Sequence, residues 1–381
     1  SVSKDDQLLF IENLSRIRQV SLEKQWQEVD TPVGWFELER FARGLKLFKK
    51  NRLLLDYTDM LEMFLKQGIA PTLDVMFVDE AQDLSPLQWA VVRKLCEKAD
   101  RIYIAGDDDQ AIYRWAGADV DYLIKNSTTA LILKQSFRIP SLVHEIATKC
   151  IDQVSSRIRK NWKPRKEVGM VQWESSYEHI NMSESDWLVL ARTNYLLEGV
   201  EEHCRSEGWF FKKKNWPSIS EKKIKAVKDW ENFRTGSSLL MTEFTNILNY
   251  MRLHVPKPLQ NSEFDRLITI EEALKDCPQL KNEYWHDCFN GLSVKEISYI
   301  RAMLRRGEKI TKEPRIRLST IHAAKGTEAT NVILLTDLST RIYNSYKANP
   351  EDEARVFYVG LTRAKQNLFL IEPKSQKCFP L

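Results

Sequence analysis

The sequence predicts an α/β protein with two parallel-sheet domains and helical insertions. From residue 73 onward, short apolar runs alternate with stretches of helical spacing. The first of these runs ends in two adjacent carboxylates, Asp79 and Glu80. With 381 residues and 43% hydrophobic content, the chain can fill two cores.

Residues 1–68 read as helical, with apolar positions such as Leu38, Phe41, Leu45 and Phe48 recurring near helical spacing. A strand is expected over 73–78, a helix over about 86–98, and strands over 101–105 and 130–134. Such alternation suggests a parallel sheet covered on both faces, with its chemistry at the C-terminal strand ends. Further strands are expected over 168–173, 186–191, 316–320, 331–335 and 367–371. Between about 217 and 312 the sequence turns helix-rich and strand-poor, which reads as an insertion interrupting the second sheet. The expected partition is a helical segment 1–68, a first sheet domain 69–138, a second domain split into 139–216 and 313–381, and the insertion 217–312.

The net charge of +4 is too small to mark a nucleic-acid binder. Three local runs are basic: six cations over 157–166, seven over 212–228 and seven over 301–317. Most such runs are solvated faces, and a minority meet phosphate. The six cysteines form no Cys-x-x-Cys pair, so neither a disulfide framework nor a zinc site is favoured. No apolar run approaches the length of a membrane span and residues 1–6 are not a secretory signal, so a cytoplasmic protein is expected, nucleoid-associated or phage-encoded.

An apolar strand that presents paired carboxylates at its C-terminal edge suits magnesium binding and the orientation of a water. The next cluster, Gly106 to Asp119, has a glycine for a tight turn and an uncharged amide, Gln110, suited to sensing a terminal phosphate. Tyr113 and Trp115 offer stacking faces for bases, against the plainer alternative that both fill a core. Phe137 beside Arg138 can stack a base and neutralise a phosphate. Thr320 to Glu328 places small residues and Gly326 after a strand, where a backbone can approach a ligand. Arg363 is a second candidate arginine for phosphoryl oxygens.

In order and content these segments resemble superfamily 1 DNA helicases of the UvrD/Rep/PcrA type. Val78–Asp83 resembles motif II, Gly106–Ala118 motif III, Gln135–Arg138 motif IV, Thr320–Glu328 motif V and Glu353–Lys365 motif VI, and Asp186–Asn194 resembles the family's intervening strand. The resemblance implies two RecA-like domains with ATP between them and single-stranded DNA, or a single/double-strand junction, across the top. It implies that Asp79 binds Mg2+, Glu80 activates water, Gln110 meets the γ-phosphate, and Arg138 and Arg363 reach it from the second domain. Phe137 would stack on adenine, Gly326 and Glu328 would border the nucleotide with Glu328 at the ribose, and Tyr113, Trp115, Thr320 and His322 would contact DNA. Protein partners would bind the 217–312 insertion.

Two departures stand out. Ala116 occupies the position where relatives commonly carry an arginine, and no Gly-x-x-x-x-Gly-Lys-Ser/Thr phosphate loop occurs in the 381 residues. The expectation is therefore a fragment of an ATP-dependent, 3′-to-5′ helicase or translocase, N-terminally incomplete and inactive alone. The alternative is a non-hydrolysing DNA- or protein-binding module derived from a helicase.

Overall fold

The computed structural model describes residues 4–126, 130–255, 257–259, 266–308, 310 and 313–381; the expected insertion boundary at Lys312 lies outside them. The chain forms two compact units. The first comprises Ser1–Glu167, Arg341–Thr362 and Leu381, and the second comprises Val168–Thr340 and Arg363–Pro380. By contacts the first unit thus runs past the expected change of domain after Arg138 and takes back the helix Pro350–Leu361.

The first unit begins with helices Lys4–Ile17, Leu22–Glu28, Trp35–Arg52 and Tyr57–Gln67. Leu8, Ile11, Val33 and Leu38 form a core shared by the first three. The fourth helix starts in a capping box, where Asp56 accepts from the Asp59 amide and Asp59 accepts from the Asp56 amide. Arg16 binds this cap across 40 residues, donating to Asp56 at 3.0 Å and to Asp59 at 2.5 Å. Lys49 pairs with the same two carboxylates at 2.7 Å each.

Strands β1 (Leu73–Val78) and β2 (Ala99–Ile104) pair in parallel, with Val75 opposite Arg101 and Val78 opposite Ile104. Helix Pro86–Cys96 crosses between them, started by a Ser85/Gln88 capping box and a proline in its first turn. The sheet expected to be covered on both faces is, in this unit, two-stranded and open: Phe77 is 76% exposed and Tyr103 52%. The strand expected over 130–134 does not form. Main-chain bonds with Lys163 tie this stretch down at Lys134 and Ser136, and Gln135 forms an isolated bridge, so no continuous ladder is offered.

The second unit holds β3 (Met170–Glu174), β4 (Trp187–Ala191), β5 (Phe211–Lys213), β6 (Trp216–Pro217), a short pair β7 (Leu239–Leu240) and β8 (Leu267–Ile268), then β9 (Ile316–Thr320), β10 (Ala329–Leu335) and β11 (Ala364–Ile371). Seven of these make one sheet in the order β3-β11-β10-β4-β9-β5-β6, parallel except for the β5–β6 hairpin. β4 is buried throughout, as its near-continuous apolar sequence requires of a central parallel strand. The helices Glu221–Arg234, Met241–Met251 and Val294–Arg306 bury Trp230, Phe244 and Tyr299 in the same core as the sheet residues Val189, Leu318 and Ile333. The expected insertion is therefore packed into the sheet's own core. Among the described residues no helix is long and apolar enough to cross a membrane.

The capping network in the first unit is acid-labile. Burial opposes ionisation of Asp56, but hydrogen bonds from Lys49 and Asp59 together with the charge of Arg16 win and hold its carboxyl at about 2. Because the folded value lies below the unfolded one, this stabilisation is complete above pH ~4 and is lost as pH falls toward ~2. Asp56→Asn is expected to flatten the acid limb of the stability-versus-pH curve, measured by urea unfolding at stepped pH. An identical acid limb in wild type and variant would remove Asp56 as its source.

Candidate functional site

β1 carries the first carboxylates. Its last residue, Val78, is buried, and the chain then turns outward through exposed Asp79 and Glu80. Glu80 takes a left-handed conformation, φ 52° and ψ 38°, which costs a non-glycine residue about 1–2 kcal/mol. Main-chain bonds on either side enforce it: Ala105 donates to Val78 at 2.7 Å and Ala81 donates to Ala105 at 3.0 Å.

Gln82 joins this turn to the next. It is fully buried; its Nε2 donates to Glu80 Oε2 at 2.5 Å and its Oε1 accepts from the Asp107 amide at 2.9 Å. A Cβ on Gly106 would lie 2.8 Å from Gln82 Oε1 and 3.0 Å from Leu123, so only glycine passes this point without displacing the bridge. Asp107 then accepts from the Asp109 amide at 3.2 Å and from Gln110 Nε2 at 2.7 Å. Glu80 and Gln110 are thereby positioned by one hydrogen-bonded assembly at the C-terminal ends of β1 and β2.

This assembly borders a cavity of about 770 Å³ lined by Asp79, Gly106, Asp107, Gln110, Lys160 and an apolar wall that includes Phe77. Phe77 and Tyr103 stack, with ring centroids 5.1 Å apart and planes 15° from parallel. Below the turn, Asp108 and Asp109 are 1% and 0% exposed, a placement that carboxylates tolerate only when paired. Arg157 makes a bidentate contact with Asp109 at 2.7 and 2.8 Å. Lys160 pairs with Asp107 and Asp109 at 2.9 Å each and also with Asp108. Burial opposes the charge on Lys160, but the three carboxylates outweigh it and raise its pKa. Arg355 donates from Nε to the Asp108 carbonyl at 3.1 Å and from Nη2 to the Ser156 carbonyl at 2.7 Å.

Of the residues singled out from sequence, Asp79, Glu80, Gln110, Tyr113, Trp115, Phe137 and Arg138 all lie in the first unit. The expected partition ended the first domain at Arg138, while the resemblance implied that Arg138 reaches the nucleotide from the second. Arg138 groups with the first because its neighbours Ser136 and Ile139 make main-chain bonds to Lys163 and Arg165, and the helix Ser141–Ile151 packs on Pro350–Leu361. Phe137 is exposed, and Tyr113 is half-buried, its hydroxyl pKa raised by burial and by Asp83 and Glu80. Trp115 is 61% exposed on a 3-10 turn, so the core-filling alternative does not hold for it. Gly117 follows at φ 97°, and a Cβ there would meet Ile17 and Leu14.

Thr320, His322, Gly326, Glu328 and Arg363 lie in the second unit. Thr320 ends β9, and its hydroxyl and carbonyl accept from the Ala323 and Ala324 amides at 3.3 and 3.0 Å. Gly326 has φ 78°, the left-handed region. Glu328 faces Lys365 at 3.5 Å. Arg363 is 1% exposed and donates to the Thr327 carbonyl at 3.3 Å.

Gln82, Arg157, Lys160 and Arg355 were missed as positioning groups. A triple-aspartate turn with two members buried must recruit cations, which is the available signal, but the cations stand about 50 and 250 residues along the chain and spacing does not reveal them. The basic run 157–166, expected to be a solvated face or a phosphate contact, instead spends Arg157 and Lys160 on this turn.

The donor set suits one implied ligand and not the other. A strand-end carboxylate such as Asp79 suits Mg2+, which is held by one or two carboxylates plus phosphate oxygens. Among the described residues no cluster of three or more side chains forms an all-protein metal cage. A bare triphosphate does not fit: Asp79, Asp107 and Asp108 face it, and Lys160 is already engaged by aspartates.

Residues 18–130 match the UvrD/REP helicase N-terminal domain, and residues 315–371 match the UvrD-like helicase C-terminal domain. The chain is 23% identical to the ATP-dependent DNA helicase PcrA of Bacillus subtilis over 79% of its own length and 55% of that protein's. It is 21% identical to the ATP-dependent DNA helicase Rep of Buchnera aphidicola subsp. Acyrthosiphon pisum, over 85% and 67% of the two lengths. Identity is also 21% to DNA helicase II of Haemophilus influenzae, over 90% and 59%. The chain thus spans between 55% and 67% of the length of these relatives.

Arg157→Met leaves Asp109 buried with Lys160 as its remaining cation. The expected loss is on the order of 3 kcal/mol in the unfolding free energy of the first unit, read from the urea midpoint. Pairing it with Asp109→Leu is expected to recover most of that loss. A double variant no more stable than Arg157→Met would show that the pair's charge balance is not what holds the turn.

Proposed function

We propose that this chain, whose residues 18–130 match the UvrD/REP helicase N-terminal domain and 315–371 the UvrD-like helicase C-terminal domain, is the motor part of an ATP-dependent DNA helicase or translocase moving 3′ to 5′ on single-stranded DNA. The observation that carries the reading is the single assembly at the ends of β1 and β2, in which Gln82 ties Glu80 to the turn that holds Gln110 beside the Asp79-lined cavity. With a phosphate loop supplied, Asp79 would hold Mg2+, Glu80 would be the candidate base for a water, and Gln110 would lie toward the terminal phosphate. Exposed Trp115, in the first unit, stacks on a base, and Thr320 and His322, in the second, are separate DNA contacts. The polarity rests on likeness to the relatives alone.

The 381 residues contain no phosphate loop, and the cavity is acidic. Turnover is therefore proposed only where another polypeptide segment supplies that loop. No hydrolytic step is assigned to these residues alone. The same two facts favour a second reading, a helicase-derived module that holds DNA without hydrolysing ATP.

In a polypeptide that joins these residues to a phosphate loop, single-stranded DNA is expected to stimulate ATP hydrolysis. Glu80→Gln should slow it about 10²-fold or more, as loss of a general base does. Undiminished turnover in that variant would remove Glu80 from the role. Absence of any turnover in the joined wild-type protein, with DNA binding retained, would favour the module. Trp115→Ala is expected to weaken oligonucleotide binding by roughly 1–3 kcal/mol at fixed salt, followed by fluorescence anisotropy.

A further inference from the structure

In the second unit β4, β9 and β5 run side by side and parallel, so their C-terminal ends share one edge. Ala191 stands opposite Thr320, and Lys213 opposite Leu318. Arg192 and Asn194 follow the end of β4, and His322 follows the end of β9. Beyond β5 comes a two-residue turn, Lys214–Asn215, after which Trp216 returns to pair with Lys213. Ligands of parallel sheets gather at this edge, outside the carboxyl ends of the strands.

The hairpin presents what such a ligand would need. Trp216 is 77% exposed, and its ring has no aromatic partner among the described residues. Lys214 has φ 56°, a conformation that glycine adopts without strain and lysine does not. A groove of about 380 Å³ adjoins them, lined by Asn194, Arg205, Lys213, Lys214 and Trp216, with Glu201 as its single carboxylate. Glu201 is held by Lys213 at 2.9 Å and by Arg205 at 3.1 Å.

Most of the surrounding basic run is engaged. Lys212 pairs with Glu313, Lys223 with Glu296, and Lys225 with Asp229 and Glu243. Lys214, Lys222 and Lys228 have no acidic partner among the described residues, and of these Lys214 borders the groove beside the exposed ring. Single-stranded nucleic acid alternates stackable base faces with phosphates, whereas a duplex keeps its base faces stacked inside.

We propose that the Phe211–Pro217 hairpin is an additional contact for single-stranded DNA, with Trp216 stacking on a base and Lys214 meeting a phosphate, continuing the strand-end edge that holds Thr320 and His322. The inference rests on the proposed DNA-holding function. Its geometry is confined to the second unit and is independent of Trp115.

The test is fluorescence anisotropy of a labelled oligothymidylate with the full chain over a series of salt concentrations. Trp216→Ala is expected to weaken binding about 5- to 150-fold, and Trp216→Phe to retain most of it. Lys214→Gln should make the slope of log affinity against log salt shallower by about 0.7, the contribution of one phosphate contact on a single strand. Because Trp216 and Lys214 are exposed, their variants should melt as wild type does. If the wild type binds and Trp115→Ala weakens binding while Trp216→Ala and Lys214→Gln change nothing, the hairpin contact is overturned and the DNA reading stands. If the wild-type chain does not bind the oligonucleotide, the DNA reading fails and takes this inference with it.

Discussion

The first unit is organised around removing Asp108 and Asp109 from water. Two adjacent buried carboxylates repel each other and forgo hydration, so the fold holds only because Arg157 and Lys160 are brought against them. Arg355 adds its guanidinium to the Asp108 carbonyl and the Ser156 carbonyl, which binds the helix Pro350–Leu361 to the same turn. The membership of that helix in the first unit follows from this, although the strands flanking it in sequence belong to the second. The turn that places Gln110 is thus a tertiary product of three distant stretches. A change at Arg157 or Arg355, neither of which lines the cavity, would be felt there through this turn.

Both units place chemistry at C-terminal strand ends, but their sheets solve burial differently. In the second unit β4 is buried throughout, and the residues at its C-terminal end stand on a packed core. In the first, two strands present an open apolar face, and the precision of the site comes from side-chain bridges. Gln82 is the clearest case: one amide satisfies a carboxylate on one turn and a main-chain donor on the next. An amide suits this role, because an ionised carboxylate could not donate to Glu80 and a lysine could not accept from Asp107.

Legibility in the sequence followed the range of the forces involved. Strands β1, β4 and β9 were readable because an apolar run bounded by polar residues is a local signal, and β9 begins and ends where it was expected. The strand expected at 130–134 failed for a non-local reason: apolar residues were present, but no neighbouring ladder was. The β5–β6 hairpin was hidden because its turn uses Lys214 where a glycine would have signalled one. At the site, Asp79 and Glu80 were legible from strand and charge together. The partners of the triple aspartate were not, since a basic run 50 residues away reads as solvated surface until the fold brings Arg157 and Lys160 inward.

Two features of the first unit that look unrelated share one physical remedy. The cavity is acidic where a polyphosphate would need donors, and the wall beside it, Phe77 stacked on Tyr103, is apolar and exposed. Magnesium on Asp79 would offset part of the charge but would offer no hydrogen bonds to the remaining phosphate oxygens. Those come most effectively from main-chain amides in a Gly-rich turn ahead of a helix, since the amides carry partial positive charge already oriented. Such a turn follows a strand, and a strand laid beside β1 or β2 would cover apolar surface as it delivered the turn. One element would therefore satisfy the electrostatic and the hydrophobic deficits together, whereas a lone added cation would satisfy only the first.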